Sequence, residues 1–130
     1  MKYFGFIKEH DKGEYSESIS DLLLPGIENP ERKNVIDYLK KGVLCVPLMG
    51  TIEDAKDNND DSFIGYCAIY TDGVWLWPQY IISYLEKYPT MKIDTSFISQ
   101  VRLNKNKKLT IKTERIKELE KKYLVAAGFH

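Results

Sequence analysis

The dipeptide Asp72-Gly73 lies between two runs of strand-forming residues and constrains the fold more than any other feature of the chain. An Asp-Gly pair in this setting predicts a two-residue type I′ turn, because both central residues must take a positive φ angle. That turn would place Tyr70 opposite Trp75. It would also put Tyr70, Trp75 and Trp77 on one face, since side chains alternate along a strand. The opposite face is apolar as well, so the pattern predicts a β-hairpin that has an aromatic face and is covered on both sides.

Cap residues and apolar stripes along the rest of the chain predict short helices around this hairpin. Ser18, Asn29 and Asp94 precede apolar residues with helical spacing, and Pro78 begins the most regular stripe. The predicted order is a strand, two helices, three strands over residues 43–49, 63–70 and 74–77, two helices, an optional strand over residues 109–112, and a closing helix. This order predicts an α+β fold in which a small, mainly antiparallel sheet, with the Asp-Gly hairpin at its centre, packs against several short helices. A length of 130 residues corresponds to a single domain, 1–130.

Cysteine usage and the absence of long apolar segments indicate a cellular compartment. Cys45 and Cys67 each lie in an apolar run without CxxC spacing, which predicts free, buried thiols. The first residues contain no apolar segment typical of export, and no stretch reaches the roughly 20 apolar residues that a transmembrane helix requires. We therefore expect a cytoplasmic protein that does not enter a membrane.

Charge is balanced overall but is distributed unevenly along the chain. Residues 1–65 carry 8 Lys or Arg and 13 Asp or Glu, whereas residues 66–130 carry 11 and 6. The acids concentrate in the segment 53–61, which has almost no apolar content. A carboxylate cluster can complement a basic partner and accelerate association. We therefore predict that a protein partner contacts Glu53, Asp54, Asp57, Asp60 and Asp61.

The acidic segment also invites comparison with calcium loops. Asp57, Asn59 and Asp61 match the first ligand positions of an EF-hand, but Ser62 replaces the required glycine and Ala68 replaces the bidentate glutamate. The comparison predicts no calcium site, and no other pattern indicates a metal or a cofactor. Nucleic-acid binding is not predicted either, because the basic cluster has no interleaved aromatic residues. That cluster consists of Lys105, Lys107, Lys108 and Lys112.

Catalytic motifs are absent, so the chain is interpreted as non-catalytic. Of the two histidines, His10 lies in a polar turn, where we expect it at the surface, and His130 is the last residue. No GxSxG, Walker, GxGxxG or HExxH pattern occurs. The alternative is a small carboxylate-dependent enzyme or a ligand-binding domain with an aromatic pocket at the hairpin. That pocket would comprise Tyr70, Asp72, Trp75, Trp77 and Tyr80, although packing of these rings in the core is favoured.

One signature extends beyond single elements. A helix ending in Tyr-Leu-x-x-Gly precedes a strand, a Glu-Asp pair and the sequence TDGxWxWP. The helix end is Tyr38-Leu39 with Gly42, and the acidic pair is Glu53-Asp54. The last sequence comprises Thr71-Asp72-Gly73 with Trp75, Trp77 and Pro78. The stretch from residue 38 to residue 101, which also includes Tyr84-Leu85 and Phe97, resembles a group of small, largely uncharacterised bacterial proteins. That group is similar in style to the immunity proteins that accompany bacterial toxins. The resemblance implies an inhibitor that occludes the active surface of a toxin, and the acidic segment suits a basic toxin domain. The amphipathic closing helix could pack on the core or on a second subunit, which leaves a homo-oligomer open.

Overall fold

The computed structural model describes residues 1–56 and 62–129, and these ranges form an α+β fold, as predicted. Strands and helices are segregated along the chain, with the strands concentrated in its middle and three of the helices after them. None of the helices in the described ranges is long and apolar enough to cross a membrane. The elements are β1 (Lys2–Tyr3), α1 (Ile19–Leu22), α2 (Arg32–Leu39), β2 (Val43–Val46), β3 (Thr51–Glu53), β4 (Phe63–Tyr66), β5 (Ile69–Thr71), β6 (Trp75–Pro78), α3 (Tyr80–Lys87), α4 (Thr95–Leu103) and α5 (Thr113–Ala126).

The strands form two separate sheets. The larger sheet has the order β1-β6-β5-β2, in which β1 runs parallel to β6 and the other neighbours are antiparallel. Strands β3 and β4 pair only with each other. The strand expected over residues 63–70 is therefore divided into β4 and β5, and β3 was not predicted. Residues 109–112 form no strand, so that expectation was wrong.

The turn between β5 and β6 differs from the predicted type I′ turn. Tyr70 pairs with Trp77 rather than with Trp75. Gly73 has a φ of +99°, but no non-glycine residue in the described ranges has a positive φ, so Asp72 does not. The reason is that the Asp72 carboxylate closes a longer turn, in which its Oδ1 accepts hydrogen bonds from the backbone N–H of Val74 at 2.9 Å and of Trp75 at 2.7 Å. A shift of two residues preserves the face of every side chain, so the predicted aromatic face is retained.

Two apolar layers cover the larger sheet, one on each face. On the first face, the two tryptophans pack with α2, α3 and α4, and Phe97 of α4 lies 5.1 Å from Trp75 and 5.8 Å from Trp77 between ring centroids. On the second face, Leu76 packs against Leu119 and other residues of α5. The central strands are therefore buried on both sides, as their apolar sequence indicates.

The helix caps follow the sequence signals. Ser18 accepts a hydrogen bond from the backbone N–H of Asp21 at the start of α1, and Asp94 accepts one from Ser96 at the start of α4. Asn29 accepts a hydrogen bond from the N–H of Glu31 just before α2. These side chains satisfy backbone donors that have no partner within the helix, and they set where the helices begin.

Candidate functional site

Strands β3 and β4 expose one face that carries two aromatic side chains. Thr51 pairs with Tyr66 and Glu53 pairs with Phe63, and the register shifts between these pairs. The shift brings Phe63 and Tyr66 to the same face, where their rings contact edge to face with centroids 5.4 Å apart. Phe63 is 56% exposed and Tyr66 is 51% exposed. We call the outward face formed by Thr51, Glu53, Phe63 and Tyr66 the hairpin face.

The opposite face of this strand pair packs against α3. Ile64 is buried in the core and Ile52 packs partly against it. Gly65 lies directly against the start of α3, where a Cβ atom added to it would stand 2.9 Å from the Cα atom of Tyr80. The backbone N–H of Tyr66 donates to Gln79 Oε1 at 2.7 Å. Only a glycine permits this approach, which fixes the distance between β4 and α3.

Asp54 anchors the end of β3 and is not part of the exposed face. It is only 2% exposed, and its carboxylate accepts hydrogen bonds from Lys87 Nζ at 2.6 Å, from Tyr88 Oη and from the backbone N–H of Lys56 at 2.9 Å. Burial alone would raise the pKa of Asp54, but these donors outweigh it and lower the pKa below its ordinary value. The prediction that Asp54 contacts a partner is therefore corrected, because α3 already occupies its carboxylate.

A second anchor runs through Tyr84 of α3 and His10. Tyr84 Oη accepts a hydrogen bond from the backbone N–H of Ala55 at 2.8 Å, and it lies 2.7 Å from Nε2 of His10. Burial raises the pKa of Tyr84 to about 12, so its hydroxyl stays protonated at neutral pH. His10 is half-buried rather than at the surface, which corrects the sequence interpretation. The two anchors hold both residues that follow β3.

The remaining acids of the predicted contact have different positions. Glu53 is exposed on the hairpin face, as the prediction requires. Asp57, Asp60 and Asp61 lie outside the described residues. The backbone N–H of Asp54 donates to the carbonyl of Ser62 at 2.7 Å, so the two ends of the acidic segment are held together at the end of the β3–β4 pair.

The aromatic pocket proposed as the alternative is not open. Trp75 is 4% exposed, Trp77 is 0% exposed and Tyr80 is 2% exposed, because α3, α4 and the N-terminal turn, residues 7–11, cover them. Tyr70 is half-buried at the edge of the same cluster. The tryptophans and Tyr80 are therefore part of the core, and the prediction of a ligand pocket at this place was wrong.

Asp72, the remaining member of that pocket, is bonded to structural partners. Besides capping the turn, its carboxylate accepts hydrogen bonds from Tyr38 Oη at 2.6 Å and from Gln100 Nε2 at 3.1 Å. Tyr38 Oη in turn accepts from Asn104 Nδ2 at 3.0 Å. Burial and the neighbouring carboxylate raise the pKa of Tyr38. This network joins α2, α4 and the turn, so the geometry of Asp72 is explained by the fold alone.

A cleft of about 380 Å³ lies elsewhere, between the N-terminal turn and the end of α5. Asp11 lines it, but its carboxylate already accepts hydrogen bonds from Tyr15 Oη and Tyr123 Oη, each at 2.7 Å, and from the N–H of Gly13. Within residues 1–56 and 62–129, no group of three or more His, Cys, Asp or Glu side chains is arranged to hold a metal ion. Cys45 is buried and Cys67 partly buried, and both are free thiols.

Comparisons with known proteins add no assignment to this geometry. No protein-family model matches the chain, and no significant match was found among curated proteins or solved structures.

The sequence analysis did not predict two features, the exposed contact between Phe63 and Tyr66 and the contact of His10 with Tyr84. Gly65 inside an apolar run was the available signal for the first, because a glycine within a strand often marks a bulge or a close backbone approach. A bulge breaks strict alternation and can place Phe63 and Tyr66 on one face. No local signal existed for the His10–Tyr84 contact, since these residues are separated by 74 positions.

Proposed function

We propose that this protein is a non-catalytic cytoplasmic binding protein that acts as an immunity-type inhibitor and uses the hairpin face to cover the active surface of a bacterial toxin domain. The observation that carries the proposal is the Phe63–Tyr66 pair, in which both rings are more than half exposed. Aromatic residues are enriched in the centres of protein–protein interfaces, where they contribute much of the binding energy. Two of them in contact on one strand of a surface hairpin fit that role.

The rigidity of the hairpin supports the same role. Asp54, Ala55, Gly65 and Tyr66 are each held by α3 through the contacts described above. A partner that meets a surface already in its binding conformation loses less conformational entropy on association. Exposed rings on a backbone that is tied to the core are therefore better suited to tight binding than the same rings on a loose loop.

The local charge indicates a basic partner. Glu53 lies on the hairpin face, and the segment 53–61 contains five Asp or Glu and a single lysine, Lys56. An excess of carboxylates attracts a basic surface over distances near the Debye length, about 8 Å at physiological ionic strength, and so increases the association rate. We propose a basic toxin domain as the partner class.

The test is protection of growing cells. The product of the neighbouring open reading frame is expressed alone and together with this protein, and we expect toxicity that co-expression relieves. The double variant Phe63→Ser, Tyr66→Ser should lose protection, and its affinity for the purified product should fall by at least about 30-fold if one of the two rings is a hot spot.

A control variant, Leu103→Ser, removes an exposed apolar side chain on α4, far from β3 and β4 in the sequence. It should protect as well as the unchanged protein. If the double variant protects as well as the unchanged protein, the hairpin face is not the binding surface. If the neighbouring product is not toxic, the immunity role is refuted.

A further inference from the structure

His10 joins three parts of the molecule at one hydrogen-bonded contact. Its Nε2 atom lies 2.7 Å from Tyr84 Oη on α3, and the same oxygen accepts the backbone N–H of Ala55 at 2.8 Å. The preceding residue, Glu9, accepts a hydrogen bond from the N–H of Ile19 at the start of α1. The N-terminal turn, α3 and the end of β3 therefore meet at the Tyr84 hydroxyl.

The number of hydrogens at this contact determines which form of His10 fits. The Tyr84 hydroxyl has one hydrogen, and we assign it to Nε2, because the Ala55 N–H at the same oxygen is a donor and Nε2 is the contacting atom that can accept. Nε2 is an acceptor only when the imidazole is neutral, with its proton on Nδ1. A protonated ring would instead donate to the same oxygen, and the hydroxyl hydrogen would lose its acceptor. Asp54 is close enough to raise the pKa of Tyr84, but its carboxylate already accepts three hydrogen bonds.

We propose that His10 is a pH-sensitive latch, which holds residues 54–55 against α3 while its ring is neutral and loosens them, and with them the hairpin face, when the ring is protonated. The regulatory meaning of the latch rests on the proposed function of that face. The latch itself is a property of the isolated chain. It links the titration of His10 to the position of the surface that meets the partner.

The groups around the ring favour the neutral state on balance. Burial lowers the pKa of His10 below its ordinary value of 6.5, although Glu9 and Asp54 attract a positive charge and oppose this shift. The Tyr80 ring packs edge to face on His10 with centroids 5.1 Å apart. His10 also lines the cleft of about 380 Å³ described above, together with Asp11, Lys12, Cys67 and Tyr123.

The lowered pKa determines the sign of the effect. Because the folded state binds the proton less readily than the unfolded state, the neutral ring contributes stability above pH 6.5. This contribution is lost as the pH falls from 6.5 towards the lower folded pKa. We therefore expect the latch to be closed at neutral pH and to open in mildly acidic solution.

Nuclear magnetic resonance on the full chain alone tests the latch between pH 8 and pH 5. The Ala55 amide should titrate with the His10 ring, at a midpoint below 6.5. Its protection from hydrogen exchange, corrected for the intrinsic rate, should fall by about threefold to tenfold across the transition, as loss of one hydrogen bond implies. His10→Gln should abolish the titration, and His130→Gln, which removes the other histidine, should leave it unchanged.

Two results would overturn the latch. One is an Ala55 amide that stays protected and unshifted while the His10 ring titrates, and the other is an unchanged titration of Ala55 in His10→Gln. Tyr84→Phe supplies a second measurement, since loss of the acceptor should lower Ala55 protection at every pH. These measurements do not test whether the hairpin face protects cells from a toxin at neutral pH. The latch and the proposed function can therefore be refuted separately.

Discussion

The two antiparallel strand pairs of this molecule, β3–β4 and β5–β6, carry similar side chains but have opposite surroundings. Both present aromatic rings on one face. In β5–β6, helices lie on both sides, and Trp75 and Trp77 are buried. In β3–β4, α3 packs against one side, and Phe63 and Tyr66 on the other side remain exposed. The comparison teaches that an aromatic residue becomes part of the core or of a binding surface according to the number of layers packed on its strand, and not according to its type.

The largest expected effect lies in the covered pair. Trp77→Ala should lower the free energy of unfolding by about 3–5 kcal/mol, because it leaves a cavity among rings that have no access to solvent. Urea denaturation measures this cost, with Phe129→Ala, which truncates a half-exposed ring near the end of the chain, as the control. A cost below about 1 kcal/mol for Trp77→Ala would show that the two strand pairs are not as different as the comparison states.

The close approach of β4 to α3 gives the next effect. Gly65→Ala should destabilise the protein by about 1–3 kcal/mol, since the added Cβ atom would meet the Tyr80 backbone at 2.9 Å and force the hairpin away from the helix. Gly26→Ala is the matched control, because nothing lies within 4 Å of the added atom. It should be neutral or slightly stabilising. Thermal unfolding of both variants separates crowding from the general effect of replacing a glycine.

Removing the charge that anchors β3 should cost a similar or smaller amount. Asp54→Asn weakens the hydrogen bonds from Lys87 and Tyr88, and we expect a loss of about 1–2 kcal/mol, because Lys87 is half exposed and the ion pair is screened by solvent. Asp94→Asn, at an exposed helix cap where asparagine also serves, should change stability little.

The same carboxylate predicts a dependence on pH. The pKa of Asp54 is lower in the folded state than its ordinary value of 3.8, so its contribution is present above pH 3.8 and is lost as the pH falls through the folded pKa. Acid unfolding followed by fluorescence should therefore begin at a higher pH in Asp54→Asn than in the unchanged protein. At pH values well below 3.8 the difference between the two proteins should shrink. A constant difference at all pH values would contradict this role.

The smallest effect on stability is expected on the exposed pair. Phe63→Ser with Tyr66→Ser should change the free energy of unfolding by less than about 0.5 kcal/mol per substitution, since both rings are more than half exposed. The measurement is again urea denaturation, compared with Trp77→Ala. A large loss of stability would mean that the pair supports the fold, and the comparison between core and surface rings would then fail.

Local signals predicted the elements that depend on neighbouring residues. The stripe of α3, the caps of α1 and α4 and the two covered faces of the central strands all agree with the sequence pattern. The turn at Asp72-Gly73 did not, because the Asp72 side chain bonds the backbone of Val74 and Trp75 and so forms a longer turn than the dipeptide implies. A side chain that bonds the backbone in this way can override the turn type that an Asp-Gly dipeptide usually adopts.

The candidate site was predicted only in part. Glu53 was identified as an exposed acid, but Asp54, its neighbour, is buried against Lys87 of α3 and Tyr88 just after it. Adjacent residues of a strand point to opposite faces, so one acid meets solvent and the other meets the helix. Which acid is exposed depends on the side of the strand against which α3 packs, and the sequence of the segment 53–61 does not indicate that side.

Composition and periodicity by themselves determined the fold class, most of the helices and the burial of the central strands on both faces, because these follow from apolar spacing, caps and turn residues that act over a few positions. Tertiary structure alone decided the strand register, the exposure of Phe63 and Tyr66 and the meeting of His10 with Tyr84 and Ala55. Those features depend on contacts between residues that are distant along the chain, because the packing of the elements decides which side chains are buried and which are left exposed.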